Sequence, residues 1–298
     1  MSKTLVIIVT YNAMKWADRC LGSALASVTA SDVFVVDNAS IDGTADYIEE
    51  HFPGVILRRM EHNIGFGQAN NIGLRYALAK GYEYVYLLNQ DAWIEPDTIG
   101  KLVAASSHNP DYGVLSPFQM SADGRHIDKA FTYNVCSWHS NRELFEDMYA
   151  GRLAEAYTVT NVMAAHWLMT RRCIEKVGGF SPTFFQYGED DNYVDRVRFH
   201  GLQAGIVPGA TAVHDRAERV RSKKEMIQLL AVQHSRAISA PGSKGPAVWL
   251  SAFFNLFIKA PWLYHSLYPQ KLFLEMAGRT GTILRNRKLS TAEGPAFL

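Results

Sequence analysis

Leu5-Val6-Ile7-Ile8-Val9, closed by Thr10-Tyr11-Asn12, is a short apolar run that stops in a polar turn. The pattern returns at Val33-Phe34-Val35-Val36, closed by Asp37-Asn38-Ala39-Ser40, and at Tyr84–Leu88, closed by Asn89-Gln90-Asp91. Runs that are apolar throughout, rather than alternating, read as strands covered on both faces. Between them lie segments with helical spacing, Ala13–Val28, Thr44–Glu50 and Phe66–Ala79, the last stopped by Gly81. Val55–Leu57 reads as a further strand, Asp97–Ser107 as a helix and Gly113–Ser116 as the start of another strand. Strands that alternate with helices predict a parallel sheet flanked by helices. Ligands bind such sheets at the carboxyl ends of the strands, where the three polar turns fall.

Outward from this frame, residues 120–160 have no clear period. Asn161–Thr170 is apolar, Arg171–Val177 reads as a short helix stopped by Gly178-Gly179, and Phe180–Tyr187 as an aromatic-rich loop. Glu189-Asp190-Asp191 opens a helix that runs to His200. Ala204–Val207 and Thr211–Val213 read as two strands, the second reaching His214. A charged loop covers 215–224, a helix Glu225–Ile238 and a linker Pro241–Pro246.

The chain has 298 residues, of which 48% are hydrophobic and 20% charged. That composition excludes a disordered, collagen-like or coiled-coil chain. A net charge of +1 argues against a nucleic-acid partner. Three scattered cysteines, Cys20, Cys136 and Cys173, form no CxxC pair and point to a reducing compartment. No signal-peptide core and no apolar run long enough to span a bilayer is present, so a cytoplasmic location is expected. Charge is nonetheless uneven. Residues 215–298 hold 13 Lys and Arg against 5 Asp and Glu, leaving the remainder acidic. Trp249, Phe253, Phe254 and Phe257 recur there at helical spacing, with Trp262 and Tyr264 nearby and Lys259, Lys271, Arg279, Arg285, Arg287 and Lys288 around them. Packing against the rest of the chain or a twin subunit (a homodimer) is one reading of this stretch. Peripheral contact with anionic lipid on the inner face of the plasma membrane is the other.

The candidate site residues each have a plain alternative. Asp37 at a strand end suits a base or ribose, and equally a turn. Asn63-Ile64-Gly65-Phe66-Gly67-Gln68-Ala69-Asn70 approaches the dinucleotide fingerprint but carries Asn70 where Gly or Ala is required, so its glycines are expected to let the loop approach a ligand. Asp91 is a hard oxygen ligand suited to a cation on a diphosphate, or a strand cap. Helical spacing places Asp190 inward with Val194 and Val197, and Asp191 outward with Asp195 and Arg198. An inward carboxylate without an evident basic partner is costly unless it works, although acids at a helix start also complement the dipole. His214 is a metal ligand or a structural histidine.

Together these motifs resemble glycosyltransferase family 2, over nearly all of residues 4–214. Val9-Thr10-Tyr11-Asn12 resembles the family's opening motif, and Val35-Val36-Asp37-Asn38-Ala39-Ser40-Ile41-Asp42-Gly43-Thr44 its second. Asn63–Gly73 resembles the rhamnosyltransferase-like members, and Asn89-Gln90-Asp91 stands at the metal-binding DxD-type motif. Gly178-Gly179-Phe180 and Phe184–Asp190 resemble the acceptor-side block, and Val213-His214 the closing motif. The resemblance implies a GT-A fold, a Rossmann-like mostly parallel sheet flanked by helices. Residues 1–214 would be the catalytic domain, with a nucleotide-sugar half over 1–118 and an acceptor half over 119–214, and 215–298 a basic, apolar helical segment.

It implies inverting transfer of a sugar from a nucleoside diphosphate donor, dTDP-rhamnose ahead of a UDP-sugar, to a glycan or lipid-linked acceptor of cell-surface polysaccharide. Thr10, Tyr11, Asn12, Asp37, Asn63, Gly65, Gln68, Asn71 and Asn89 would hold the nucleotide. Asp91 and His214 would bind Mn2+ or Mg2+. Asp190 would be the catalytic base beside Glu189, and Arg216, Arg219 and Arg221 a loop over the diphosphate. Departures are Asn89 for the first acid of the metal motif, Ser181 for Asp after Gly-Gly-Phe, and Asn192 for an acid after Glu-Asp-x. Asn89 and Asn192 motivate a rival, a non-catalytic sugar-nucleotide-binding subunit. A sugar nucleotidyltransferase is the weaker alternative, because no glycine-rich basic loop follows the first strand.

Overall fold

The computed structural model describes residues 3–135, 141–216 and 222–298; Cys136, Arg219 and Arg221 lie outside them. Strand β1 (Thr4–Thr10) is buried along its whole length. It is flanked by β2 (Ser31–Asp37) and β4 (Tyr84–Asn89), and β2 by β3 (Ile56–Arg59), all parallel. Side chains of β1 alternate between two cores: Leu5, Ile7 and Val9 enter one cluster and Val6 and Ile8 the other. Burial on both faces is why the strand reads as unbroken apolar sequence. The register levels the carboxyl ends, pairing Thr10 with Asp37 and Val9 with Asn89, so three polar turns share one edge.

Beyond β4 the sheet is mixed. The remaining strands are β5 (Ala92–Ile94), β6 (Tyr112–Met120), β7 (Tyr157–Val159), β8 (His166–Thr170) and β9 (Gln203–His214). The order is β3-β2-β1-β4-β8-β6-β9-β5, with β7 also on β9. Among the described residues, β6 and β9 pair in parallel, while β4–β8, β6–β8, β5–β9 and β7–β9 are antiparallel. Strands β6 and β9 therefore keep the direction of β1, while β5, β7 and β8 oppose it. The two expected strands at 204–213 are one, β9, whose register jumps between Val207 and Thr211.

Helices α1 (Ala17–Leu25), α2 (Thr44–His51), α3 (Phe66–Lys80) and α4 (Thr98–His108) fill the connections of the first half. Helix α1 starts later than its spacing predicts, because Ala13 and Met14 are held in the loop by Thr44 Oγ1 and Asp42 Oδ2, which accept from their amides at 2.9 and 3.2 Å. Then follow α5 (Lys129–Asn134), α6 (Arg142–Ala150), α7 (Arg171–Val177) and α8 (Glu189–Phe199). The C-terminal segment holds α9 (Lys223–Ser239), α10 (Pro246–Ala252), a π-helical stretch Phe253–Lys259, α11 (Ala260–Tyr264), α12 (Tyr268–Gly278) and α13 (Thr280–Thr291). These helices share a separate apolar cluster around Ile238, Ala252, Leu256, Met276 and Ile283. They meet the sheet-bearing part beside α8, where Arg279 and Asn286 both donate to Thr183 at 3.0 Å.

Candidate active site

The turns after β1 and β2 are laced together by side chains. Asp37, 2% exposed, accepts from Thr10 Oγ1 at 2.8 Å, from Ser40 Oγ at 2.6 Å and from the Ser40 amide at 2.9 Å. Asn12 Oδ1 accepts from the Ile41 amide and Ser40 Oγ from the Asn12 amide, each at 2.9 Å. Asn12 and Ala39 sit at φ 52° and 67°, left-handed backbone that a non-glycine residue adopts at a cost. Both are held in that conformation by the hydrogen bonds between the two loops. Asn38 and Asn63 join the next loop to them, their side chains meeting at 2.9 Å, with Asn38 Oδ1 accepting from Ile64. Gln90 turns back onto Tyr11, accepting from its amide at 2.6 Å and donating to its carbonyl at 3.2 Å.

The Asn63–Gly73 stretch is a packing seam, contrary to the expectation that its glycines admit a ligand. A side chain on Gly65, at φ 84°, would strike the carbonyl of Phe185. One on Gly67 would lie 2.8 Å from Phe180 Cβ and 3.6 Å from Glu189 Cβ, and one on Gly73 2.6 Å from Ile7. Asn71 is wholly buried and spends its amide on the backbone: Nδ2 donates to the carbonyls of Phe180 and Phe297, and Oδ1 accepts from the Phe180 amide at 2.7 Å. Gln68 also donates to the Phe180 carbonyl, at 3.2 Å. Both therefore position the Gly178–Phe180 turn rather than reach the strand-end pocket. The seam carries the acidic start of α8 up to the α3 side of the cleft.

Asp91 and His214 come together because β5 pairs with β9, Ala92 opposite His214. Asp91 Oδ1 lies 3.3 Å from His214 Nε2. Burial works to raise the Asp91 carboxyl, but the hydrogen bond and charge of His214, helped by Arg216, outweigh it and hold it below the usual range. His214 is 3% exposed and its Nδ1 has no partner. Behind it His166 accepts from Tyr86 Oη at Nδ1 (2.9 Å) and donates from Nε2 to the Val213 carbonyl (3.1 Å), an assignment the network fixes. Burial, then the charge of His214, pushes His166 down to about 3, so it stays neutral. No group of three or more His, Cys, Asp or Glu suited to a metal occurs among the described residues. One carboxylate and one imidazole fit a cation that draws its other ligands from phosphate and water, and the mixed oxygen–nitrogen pair suits Mn2+ better than Mg2+.

At the start of α8 burial reaches an acid to which the helical spacing assigned no side. Glu189 is 6% exposed, while Asp190 and Asp191 are half-buried. The cause is periodicity: Glu189 shares its face with Asn192, Tyr193 and Arg196, all buried. Glu189 Oε2 has no partner. Burial, then the charge of Asp190, raises the Glu189 carboxyl to about 8. Asp190 is also raised by burial, against hydrogen bonds from the amides of Asp191 and Ala164. Asp191, raised to about 6 by burial and by Asp190, faces Arg236 of α9 at 3.3 Å, and Arg236 also pairs with Asp195. Arg236 is the basic neighbour invisible in the local sequence. Arg216 is exposed.

The sequence profile described as "Glycosyl transferase family 2" matches residues 5–178. The chain belongs to glycosyltransferase family 2. It is similar to an N-acetylglucosaminyl-diphospho-decaprenol L-rhamnosyltransferase of Mycobacterium tuberculosis, with 28% identity over 71% of this chain and 76% of that protein. It is also similar to the dTDP-rhamnosyl transferase RfbF of Shigella flexneri, with 25% identity over 72% of this chain and 69% of the relative. Among solved structures, it superposes on the Pyrobaculum calidifontis mannosyltransferase PcManGT in complex with GDP-Man and Mn2+. The TM-score is 0.57 at 20% identity, covering 97% of this chain and 86% of that one. Staphylococcus aureus TarS 1–349 in complex with UDP-GlcNAc gives 0.58 at 15%, covering 98% and 84%. The chain thus has the GT-A fold of this family 2 enzyme class and is a glycosyltransferase.

Within this family 2 fold, sequence reasoning missed Arg196. Its guanidinium, wholly buried and lowered to about 10 by burial, donates to the carbonyls of Val177 and Gly179 and lies 4.9 Å from the Phe297 ring. It braces the turn below the acids. The buried acid also sets a pH dependence. Between its ordinary 4.5 and about 8, folded Glu189 keeps a proton that the unfolded chain has lost. Its contribution to stability therefore falls as pH rises through that window. Glu189→Gln is expected to stabilise the protein by on the order of 2 kcal/mol at pH 8 and to gain little near pH 5. Urea unfolding at the two pH values checks this, and an equal effect at both would refute it.

Proposed function

We propose that the chain is an inverting transferase that moves rhamnose from dTDP-rhamnose to a hydroxyl of a lipid-linked glycan acceptor during cell-surface polysaccharide synthesis, with UDP-sugars as the second donor class. The observation that carries the chemistry is Asp190, a carboxylate at the start of α8 that accepts from two amides and borders a still more buried acid. Rhamnose as the sugar is supported by the names of both relatives, and a lipid-linked acceptor by the mycobacterial one.

The nucleotide lies across the carboxyl ends of β1, β2 and β4. Thr10 and Ser40 fix the Asp37 carboxylate, which keeps lone-pair capacity for a base or ribose. Tyr11, Asn12, Asn63 and Asn89 shape that pocket. Asp91 and His214 hold the divalent cation, with Arg216 beside Asp91. When bound, the cation neutralises charge on the departing nucleoside diphosphate. Asp190 takes the proton of the acceptor hydroxyl, whose oxygen forms the bond to the anomeric carbon as the bond to the diphosphate breaks. Glu189 stays protonated, so one negative charge rather than two faces the reacting oxygen. A single in-line displacement inverts the anomeric centre.

The test is NMR of the product formed from dTDP-rhamnose and a polyprenyl-diphosphate N-acetylglucosamine acceptor. The expected glycosidic bond has the anomeric configuration opposite to the donor. A retained configuration would refute Asp190 as the base of a single displacement.

A further inference from the structure

Residues 246–264 form one helical rod, α10, the π-helical stretch and α11 in succession. Its inner row is Ala252, Leu256 and Ala260, none more than 2% exposed. Its outer row, offset by two residues, is Leu250, Phe254, Ile258 and Trp262, at 70, 56, 50 and 77% exposure. A helix on a water-facing surface carries polar residues on that row. Here every position is large and apolar. The wider π turn counteracts the drift of an i, i+4 row around an α-helix, which keeps the four side chains in line. Leu263, Leu267 and Leu274 of the same segment are also exposed, at 54, 75 and 60%. A groove of about 850 Å³, walled by Trp249, Leu250, Phe253 and Phe273 with Arg287 at its side, opens on the same rod.

The segment that carries this face is cationic. Residues 244–298 contain seven Lys and Arg and two Glu. Lys244, Lys259, Lys271, Arg285 and Lys288 are all exposed. A second copy of the chain, joined through a two-fold contact, would set this net positive segment against itself. No helix among the described residues is long and apolar enough to cross a membrane.

We infer that this face docks flat on a bilayer containing anionic phospholipid. The outer row sinks to the boundary of headgroups and acyl chains, Trp262 anchors it there, and exposed cations of the same segment meet lipid phosphates. Docking is independent of which sugar is transferred. Its consequence for the reaction rests on the reading above. The segment is fastened to the α8 side through Arg236 to Asp191 and Asp195, and through Arg279 and Asn286 to Thr183. The acidic start of α8 is therefore held near the surface where a lipid-linked acceptor resides.

The experiment is co-sedimentation of the full chain with vesicles of phosphatidylcholine alone or mixed with phosphatidylglycerol, and it needs no turnover. The chain is expected to partition onto the anionic vesicles, to release at high salt, and to bind the neutral ones weakly. The double variant Phe254→Gln, Trp262→Gln is expected to lose about tenfold or more in partitioning. Arg285→Gln with Lys288→Gln should weaken binding by about tenfold at low salt. All four side chains are exposed, so far-UV circular dichroism and melting temperature should match the parent. Three results would each overturn the proposal: no binding of the parent to anionic vesicles, undiminished binding by a folded Phe254/Trp262 variant, or a parent dimer in sedimentation velocity that the same variant turns into monomer.

Discussion

Asp190→Asn is expected to lower the rate of sugar transfer by about a thousandfold while leaving donor binding intact. A positioned general base contributes roughly two to four powers of ten, and an amide cannot accept the proton. The substitution preserves shape, and the Asn carbonyl still accepts from the amides of Asp191 and Ala164 that hold the carboxylate now. The start of α8 therefore keeps its geometry. A second readout separates loss of the base from a disturbed fold. The charge of Asp190 is the second cause of the raised Glu189 carboxyl, after burial. Removing it should draw Glu189 down and narrow the pH window over which stability declines. Initial rates, donor binding and pH-dependent unfolding of this one variant check all three. Transfer within tenfold of the parent rate would place the base elsewhere.

Asp91→Asn is expected to cost about a hundredfold in kcat/KM for the donor and to abolish the metal dependence of donor binding. The carboxylate sits 3.3 Å from His214 Nε2 and is held below the usual range, so it is ionised throughout neutral pH and ready for a cation. With Asn89 and Gln90 before it, Asp91 is the only acid of the Asn89–Asp91 motif. Its loss leaves His214 alone, and a single imidazole holds a hard cation poorly. A cation on the leaving diphosphate is worth several kcal/mol of charge stabilisation, and about 2.7 of these correspond to a hundredfold. Kinetics across a Mn2+ titration check the effect. A variant that keeps the parent's metal response would remove Asp91 from the metal site.

The parallel half of the fold was legible because its strands are buried on both faces. Leu5–Val9 and Val33–Val36 carry that fact as unbroken apolar sequence, and each ends in its polar turn. The mixed half was not. Strand β5 has three residues, too few for any period, and its pairing with β9 is a long-range event that alone joins Asp91 to His214. Helices α5 and α6 lie in the stretch without a clear period. Glu189 and Asp190 were legible as acids opening a helix, but the burial of Glu189 was not. Val194 and Val197 mark one side of a buried face that also takes in Asn192, Tyr193 and Arg196. An arginine with no exposure is not something local sequence announces. The glycines of Asn63–Gly73 were conspicuous, yet their close approaches are to Phe185, Phe180 and Ile7 of the same chain. A sequence shows that glycine is required there and leaves open what comes near.

The central claim is that the edge formed by Thr10, Asp37, Asn89 and Asp91 is a nucleotide-sugar site completed by a cation. The most direct measurement is the melting temperature of the parent chain with dTDP-rhamnose, UDP-glucose or NAD, each with and without Mn2+. A ligand that binds only the folded state raises it by linkage, by about 2.7 kcal/mol of stability at a hundred times its dissociation constant. A clear rise with dTDP-rhamnose that requires Mn2+ is expected, with a smaller one for UDP-glucose and none for NAD. No rise with any nucleotide sugar, in the presence or absence of metal, would contradict it.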